Sequence, residues 1–539
     1  MQKNLILAVV LSSLVYIGWY SYIGKKLPQQ PARAAAGAVQ PAAAQAGGAA
    51  PAARSAASSA DRQAQLAEAK ALLAGAEAEA ADIAAHPVPP SADARKLLTS
   101  VSAGKASYTF FIPDAALASA VYEGPVAPVQ LVPDPERGFF RASLPGRFEL
   151  KARTADSAEF RARQGAFEFV KKFTFSPDGL GTLEISARNV TAAPQTLPAW
   201  ELAIGPGLGT VKSELKENAK LCKADYAYQE AGRKHPTLKE LKDEPAASDW
   251  VWAGMNNRYF LAALINGAFP GTRPVRRLEK VGDVEKTPEL VVPVAAAALK
   301  PGETLRWNSQ FYLGPKDYSL LKELGHGLDR SVDFGFFAPL AKIAEAALVY
   351  FHKLTGNYGA AIIILSVIIQ LILTPLSFKS YKAMAVMKKI QPEMQSIQQR
   401  YKEDPQRMNQ EIMALYKRHG TNPLGGCLPM LLQIPVFFAL FTALRGSWHL
   451  HGAHFIFWIK DLSAKDPFYV LPLVMGGIMF LQQHLNPQTS DPAQATMMKW
   501  MPVVFTFMFL TFPSGLVLYW LINSTWGFAQ SMYLQKKMA

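Results

Sequence analysis

Three uncharged polar residues, Ser366, Gln370 and Thr374, recur every four positions inside the apolar run YGAAIIILSVIIQLILTPLSF. On a helix that spacing lays them along one face. At about 1.5 Å of rise per residue, Gln370 lies about 18 Å from the start of the run. That is near mid-depth in a bilayer core of roughly 30 Å. A carboxamide there is costly unless it meets another polar group or water. Partners stand at comparable depth in two other apolar runs, Gln433 in one and Tyr519, Asn523 and Ser524 in the other. The chemistry available is hydrogen bonding, with no acid, base or nucleophile among them. Two readings follow: glue between helices, or a wet groove that takes up the polar parts of another chain.

Other candidates for chemistry are weak. His449, His451 and His454 sit in HLHGAH, but no Cys or carboxylate in the motif completes a ligand set, so no metal site is expected. Cys222 and Cys427 are the two cysteines and form no CxxC, so both read as free thiols. Neither HExxH nor a Walker A loop occurs, and Gly205, Gly207 and Gly209 of GPGLGT read as a turn. The residues therefore point away from an enzyme and from any cofactor.

Long apolar runs set where the polar stripe must sit. Asn4 to Ile23 is an apolar run of 20 residues, the length a bilayer needs. It ends in Trp19, Tyr20, Tyr22, Lys25 and Lys26, an interfacial flank rather than a cleavage site, so residues 1–26 read as an uncleaved signal anchor. Further spans are expected at Tyr358 to Phe378, Leu424 to Leu444 and Phe468 to Leu485. The stretch from Trp500 to Leu534 would measure about 50 Å as one helix, and Phe512-Pro513-Ser514-Gly515 breaks it into two. The expected total is six.

Lys and Arg orient them. Lys379, Lys382, Lys388, Lys389, Arg400, Lys402, Arg407, Lys417 and Arg418 stand between the second and third spans against four acids, which makes that segment cytoplasmic. Both termini then lie inside and residues 27–340 outside. The formal net charge of +14 suits anionic lipid on one face.

Within the basic segment, residues 379–420, the apolar positions Met384, Met387, Ile390, Met394, Ile397 and Tyr401 are spaced 3, 3, 4, 3 and 4. This is a helical seam. Asp404-Pro405 interrupts it, and Met408, Ile412 and Leu415 begin a second stripe that ends at Gly420. A helical hairpin is expected, self-packed along the seam, with a basic outer face suited to lipid headgroups or ribosomal RNA. Met384, Met387, Lys388, Lys389, Met394 and Arg400 are its candidate contact residues, since Met-rich surfaces adapt to varied partners.

The outer region divides in two. Residues 27–95 are an Ala/Pro-rich linker, with a marginal Ala-rich helix over 61–85. From there to 330, short alternating runs such as SYTFFI, EFRARQGAFEFVKKFTF and GTLEISARNV, separated by Pro, Gly and Asp, predict an antiparallel β-sandwich. The fold class is thus mixed: a helical membrane protein carrying a β-sandwich.

Four segments, LTPLSFKSYKAMAVMKKIQPEM (373–394), NPLGGCLPMLLQIPVFFALF (422–441), WIKDLSAKDPFYVLP (458–472) and FPSGLVLYW (512–520), resemble the YidC family of membrane insertases in combination and order. The resemblance covers residues 335–535, and the outer domain is similar in size and position to the large periplasmic sandwich of the family's Gram-negative branch. It implies a five-helix core in the bacterial inner membrane, with a hydrophilic groove open to the cytoplasm and to lipid. Nascent membrane proteins would slide along the second and sixth spans, with or without the Sec translocon and without nucleotide. The implied groove set is Ser366, Gln370, Thr374, Gln433, Tyr519, Trp520 and Asn523. Two departures stand out: Gln370 occupies the place of the family's usual basic residue, and Trp520 follows Tyr519 where many relatives have a second tyrosine.

A small-solute transporter predicts internal repeats and charges within spans, and the sequence has neither. A membrane-tethered glycan-processing protein would need its chemistry between residues 98 and 315.

Overall fold

A computed structural model describes residues 97–538, except 234, 268, 270, 282–283, 421–427 and 486–491. The expected signal anchor and linker, and Cys427, lie outside the described residues.

Alternating side chains build the first half. In the strand Phe167–Phe175, residues 167, 169, 171, 173 and 175 are buried and their neighbours half-exposed, the period-2 pattern of a sheet with one covered face. All paired strands are antiparallel. A nine-stranded sheet holds the centre, with four-stranded sheets and a two-stranded ribbon beside it. Its strand Thr304–Pro315 pairs with Leu180–Asn189 on one side and Phe260–Ile265 on the other. Phe169, Phe173 and Phe311 from this sheet meet Leu202, Ile204 and Leu290 from a four-stranded one in a single core, so the expected layered β architecture is present. Cys222 is buried and free, and burial pushes its thiol up to about 12. The GPGLGT segment is irregular backbone after a strand, with Gly205 and Gly207 at positive φ, and a Cβ at Gly209 would meet the Gln130 carbonyl.

One polar side chain breaks the aromatic row. Lys171 is fully buried, its Nζ donating to the Phe140 carbonyl at 2.5 Å. Burial brings its pKa down to about 7.

Helices make up the rest. α1 (Leu215–Leu221) lies within the β-rich half and α2 (Tyr318–Leu324) ends it. α3 (Ala338–Thr355) buries Ala341, Ala344, Glu345 and Leu348 and exposes Leu340, Ile343, Tyr350 and Leu354. α4 (Tyr358–Arg400), α5 (Pro405–Arg418), α6 (Leu428–Gly446), α7 (Val470–Leu485), α8 (Pro492–Phe509) and α9 (Ser514–Met538) follow.

α4 carries the expected span at its start, Tyr358–Ser380, and joins it without a break to the hairpin's first stripe, 43 residues in all through Pro375 and Pro392. Each proline removes one backbone donor without stopping the helix here. Only Tyr358–Ser380 among the described helices is long and apolar enough by itself to cross a membrane; Gln433–Gly446, Val470–Gln483 and Trp500–Phe509 are shorter apolar stretches. α9 is 25 residues long, but Asn523, Ser524, Thr525, Gln530 and Ser531 dilute its apolar character. The break at Phe512-Pro513 falls where expected, between α8 and α9.

The two halves are joined by a compact seam. Trp448, just past α6, packs its ring against Tyr122, Tyr259 and Phe260, centroids 5.0 to 5.9 Å away. Arg445 reaches Glu217 at 3.9 Å, and His449 reaches Asp317 at 3.4 Å. Glu345 of α3 accepts a hydrogen bond from Ser447 at 3.1 Å, and burial raises its pKa to about 6.

Candidate functional site

α9 packs along α4 and α7 and touches α6. This brings the polar residues of three apolar runs together. Gln370 donates through Nε2 to Asn523 Oδ1 at 2.7 Å, both side chains nearly buried. One turn along, Thr374 donates to the Gln370 carbonyl at 2.6 Å and accepts from Gln530 Nε2 at 2.9 Å. The Tyr519 hydroxyl lies beside the Asn523 and Gln433 amides. It is buried with those two amides within its hydrogen-bonding reach, while the indole N–H of Trp526 has no hydrogen-bond partner among the described residues.

The expected set therefore divides. Gln370, Thr374, Asn523, Tyr519 and Gln433 converge. Ser366 lies on the same face but is sealed, its hydroxyl donating to the Ile362 carbonyl of its own helix at 2.6 Å. Trp520 points elsewhere, packing against Phe437, Phe509 and Phe505 at 5.0, 5.3 and 5.9 Å. Gln530 and Trp526 were missed. The signal for them was in the spacing, since 519, 523, 526 and 530 fall on one helix face.

Chemically the cluster is neutral. It makes and offers hydrogen bonds and carries no charge to hold a metal or drive proton transfer. A buried donor without a partner costs about 1–3 kcal/mol. The Trp526 indole and the amide and hydroxyl groups beside it on one face of α9 suit water or the carbonyls of another chain.

The second candidate set lies on the hairpin, which forms as expected. α5 starts at Pro405 with Asp404 accepting from the Arg407 N–H at 3.0 Å. Ile390, Ile412, Leu415 and Tyr416 form its core, with Met387 and Met394 packed against them. Those two methionines are thus half spent on the hairpin's own seam. Lys389 and Arg400 are exposed. The side chains of Met384 and Lys388 lie outside the described residues. As for the histidines of HLHGAH, His449 faces Asp317, and His451 faces Asp461 at 3.6 Å and Ser463 at 3.3 Å.

Apolar helices around a buried neutral polar cluster, attached to a large β-rich domain, define a membrane protein of mixed build. A family profile described as "60Kd inner membrane protein" matches residues 350–539, and one described as "YidC periplasmic domain" matches residues 131–344. The membrane protein insertase YidC of Endomicrobium trichonymphae is 43% identical over 419 residues, 75% of this chain and 78% of that protein. The one from Geobacter metallireducens is 47% identical over 290 residues, 54% of this chain and 53% of that protein. That of Geobacter sulfurreducens is 41% identical over 375 residues, 68% of each chain. The chain belongs to the YidC family.

Proposed function

We propose that this chain is a membrane protein insertase that moves nascent transmembrane segments from the cytoplasm into the inner membrane. The observation that carries this reading is the buried neutral cluster between α4, α6 and α9, where Gln370, Asn523, Tyr519 and Gln433 meet without a charge. A guest segment entering lipid must shield its polar groups until its own helix closes. A face of fixed donors at mid-bilayer depth offers temporary partners for those groups and releases them without any covalent step or cofactor.

In this reading the chain spans the membrane six times, Asn4–Ile23 included. Both termini and the hairpin lie in the cytoplasm, and the β-sandwich of residues 96–330 lies in the periplasm. The linker 27–95 tethers it. The hairpin's Lys389 and Arg400 meet anionic lipid or the ribosome, and the core works alone or beside the Sec translocon. The apolar stretch of α8, Trp500–Phe509, covers about 15 Å against a core of roughly 30 Å. A short span thins the bilayer locally and shortens the polar crossing.

One observation favours plain helix–helix glue instead: Gln370 is already bonded to Asn523. Depletion of the protein in its host, with a survey of which inner-membrane proteins fail to integrate, tests the proposal. Loss of integration that is restored by this chain supports it. Normal integration of all inner-membrane proteins in fully depleted cells overturns it.

A further inference from the structure

The loop between α6 and α7 turns three large apolar side chains outward. Phe457 is 79% exposed, Phe468 66% and Ile456 45%. This tip is held rigidly. Asp466, itself buried, accepts from the Trp458 indole N–H at 3.0 Å, from the Phe468 N–H at 3.0 Å and from the Leu471 N–H at 2.8 Å. Phe457 sits at φ +51° and Tyr469 at φ +57°, left-handed backbone that bulky residues adopt only when the surroundings enforce it. The twist at Phe457 aims its ring away from the protein instead of into the core that takes Ile459 and Leu462.

The level of the tip is fixed by the ends of three helices. At the start of α4, Asn357 Nδ2 donates to the carbonyls of His454 and Phe455 at 3.2 and 3.0 Å. Gly359 there leaves room for the Phe455 ring, which a Cβ would overlap. At the start of α9, Ser514 N–H donates to the Ala464 carbonyl at 2.7 Å and Gly515 N–H to Leu462 at 2.9 Å. At the start of α7, Asp466 receives Leu471. A loop bonded to the ends of three core helices stands at their common end. Lys460 and Lys465, both exposed, flank the apolar tip, the order of residues met at a lipid headgroup layer.

We propose that this loop is a preformed anchor seated in the outer leaflet, with Phe457, Phe468 and Ile456 among the acyl chains and Lys460 and Lys465 on lipid phosphates. The occupant is phospholipid, and the anchor holds the outer ends of α4, α7 and α9 at one depth. It does not depend on what the groove carries.

The test uses the full chain with Cys222→Ala and Cys427→Ala, reconstituted in nanodiscs of phosphatidylethanolamine and phosphatidylglycerol. Phe457→Cys, Phe468→Cys and Lys460→Cys each carry bimane. The labels at 457 and 468 are expected to emit blue-shifted from the label at 460, to be quenched by acyl-chain bromines and to escape aqueous iodide. If Phe457→Cys fails to fold, the label at 468 reads the same tip. Iodide quenching at 457 and 468 as strong as at 460 overturns the proposal. So does protection seen only in native membrane vesicles and not in nanodiscs, which would mean that a protein covers the tip.

Discussion

The Gln370–Asn523 hydrogen bond separates groove from glue, because the two roles respond differently to losing one partner and to losing both. Gln370→Leu strips Asn523 Oδ1 of the Gln370 amide that donates to it at 2.7 Å, in a side chain 8% exposed. Leaving that acceptor buried and unpaired costs about 1–3 kcal/mol. Asn523→Leu strands the Gln370 amide in the same way. In Gln370→Leu with Asn523→Leu nothing is stranded, and the loss falls to the interhelical bond itself, about 0.6 kcal/mol on average inside membranes. The double variant should therefore be more stable than either single one, with a coupling of at least about 1.4 kcal/mol, the two single losses less the double one. Thermal unfolding in nanodiscs reads stability, and integration of a model client into proteoliposomes reads function. If the cluster serves guest chains, the double variant recovers stability but still inserts poorly, since two carboxamides, each with an acceptor oxygen and a donor amide, have gone. Insertion that returns in step with stability refutes the groove and leaves glue.

Other expectations follow from the same geometry. Deleting Lys388–Lys417 should abolish insertion while the core stays protease-resistant; unchanged insertion kinetics for several clients would reduce the hairpin to a connector. Trp448→Ala empties the aromatic seam between the halves and should destabilise their docking by about 2 kcal/mol, less than the 3–5 of a fully buried ring; an unchanged proteolysis rate across the seam would contradict this. For Lys171, a folded pKa of about 7 against the usual 10.5 means that the unfolded chain binds the extra proton throughout that window. Stability from this group is full above 10.5 and falls as pH drops toward 7. Lys171→Met should flatten that slope and stabilise the β-rich half most at neutral pH and below, less whatever the orphaned Phe140 carbonyl costs. An unaltered pH slope in denaturant titrations would rule it out.

Much of the fold was legible because hydrophobic periodicity carried it. FEFVKKFTF alternates in sequence and in burial, and the hairpin's seam at Ile390 and Ile412 was visible in its 3-and-4 spacing. The join was not legible: the span and the hairpin's first stripe read as separate pieces, while α4 runs unbroken through Pro375 and Pro392. α3 went unmarked because its apolar face is interrupted by Lys342, Glu345 and His352, which snorkel or pair. In the site, spacing found the Gln370 face but overvalued Ser366, whose hydroxyl its own helix consumes. Trp520 entered the groove set through the resemblance alone, and its ring packs against Phe437, Phe505 and Phe509, since neighbours on a helix point about 100° apart. Gln530 and Trp526 were passed over because the stripe was followed down α4 and not down α9.

The central claim is that the neutral cluster is a path for guest chains. Photo-crosslinkers at Gln370, Asn523 and Tyr519, with controls at Ile364 and at Ile372, which is 71% exposed on another face of α4, test it during synthesis of a stalled membrane protein. Strong capture of the nascent chain at the three cluster positions and little at the two controls is the predicted result. Capture at Ile372 with none at Gln370, Asn523 or Tyr519 would contradict it.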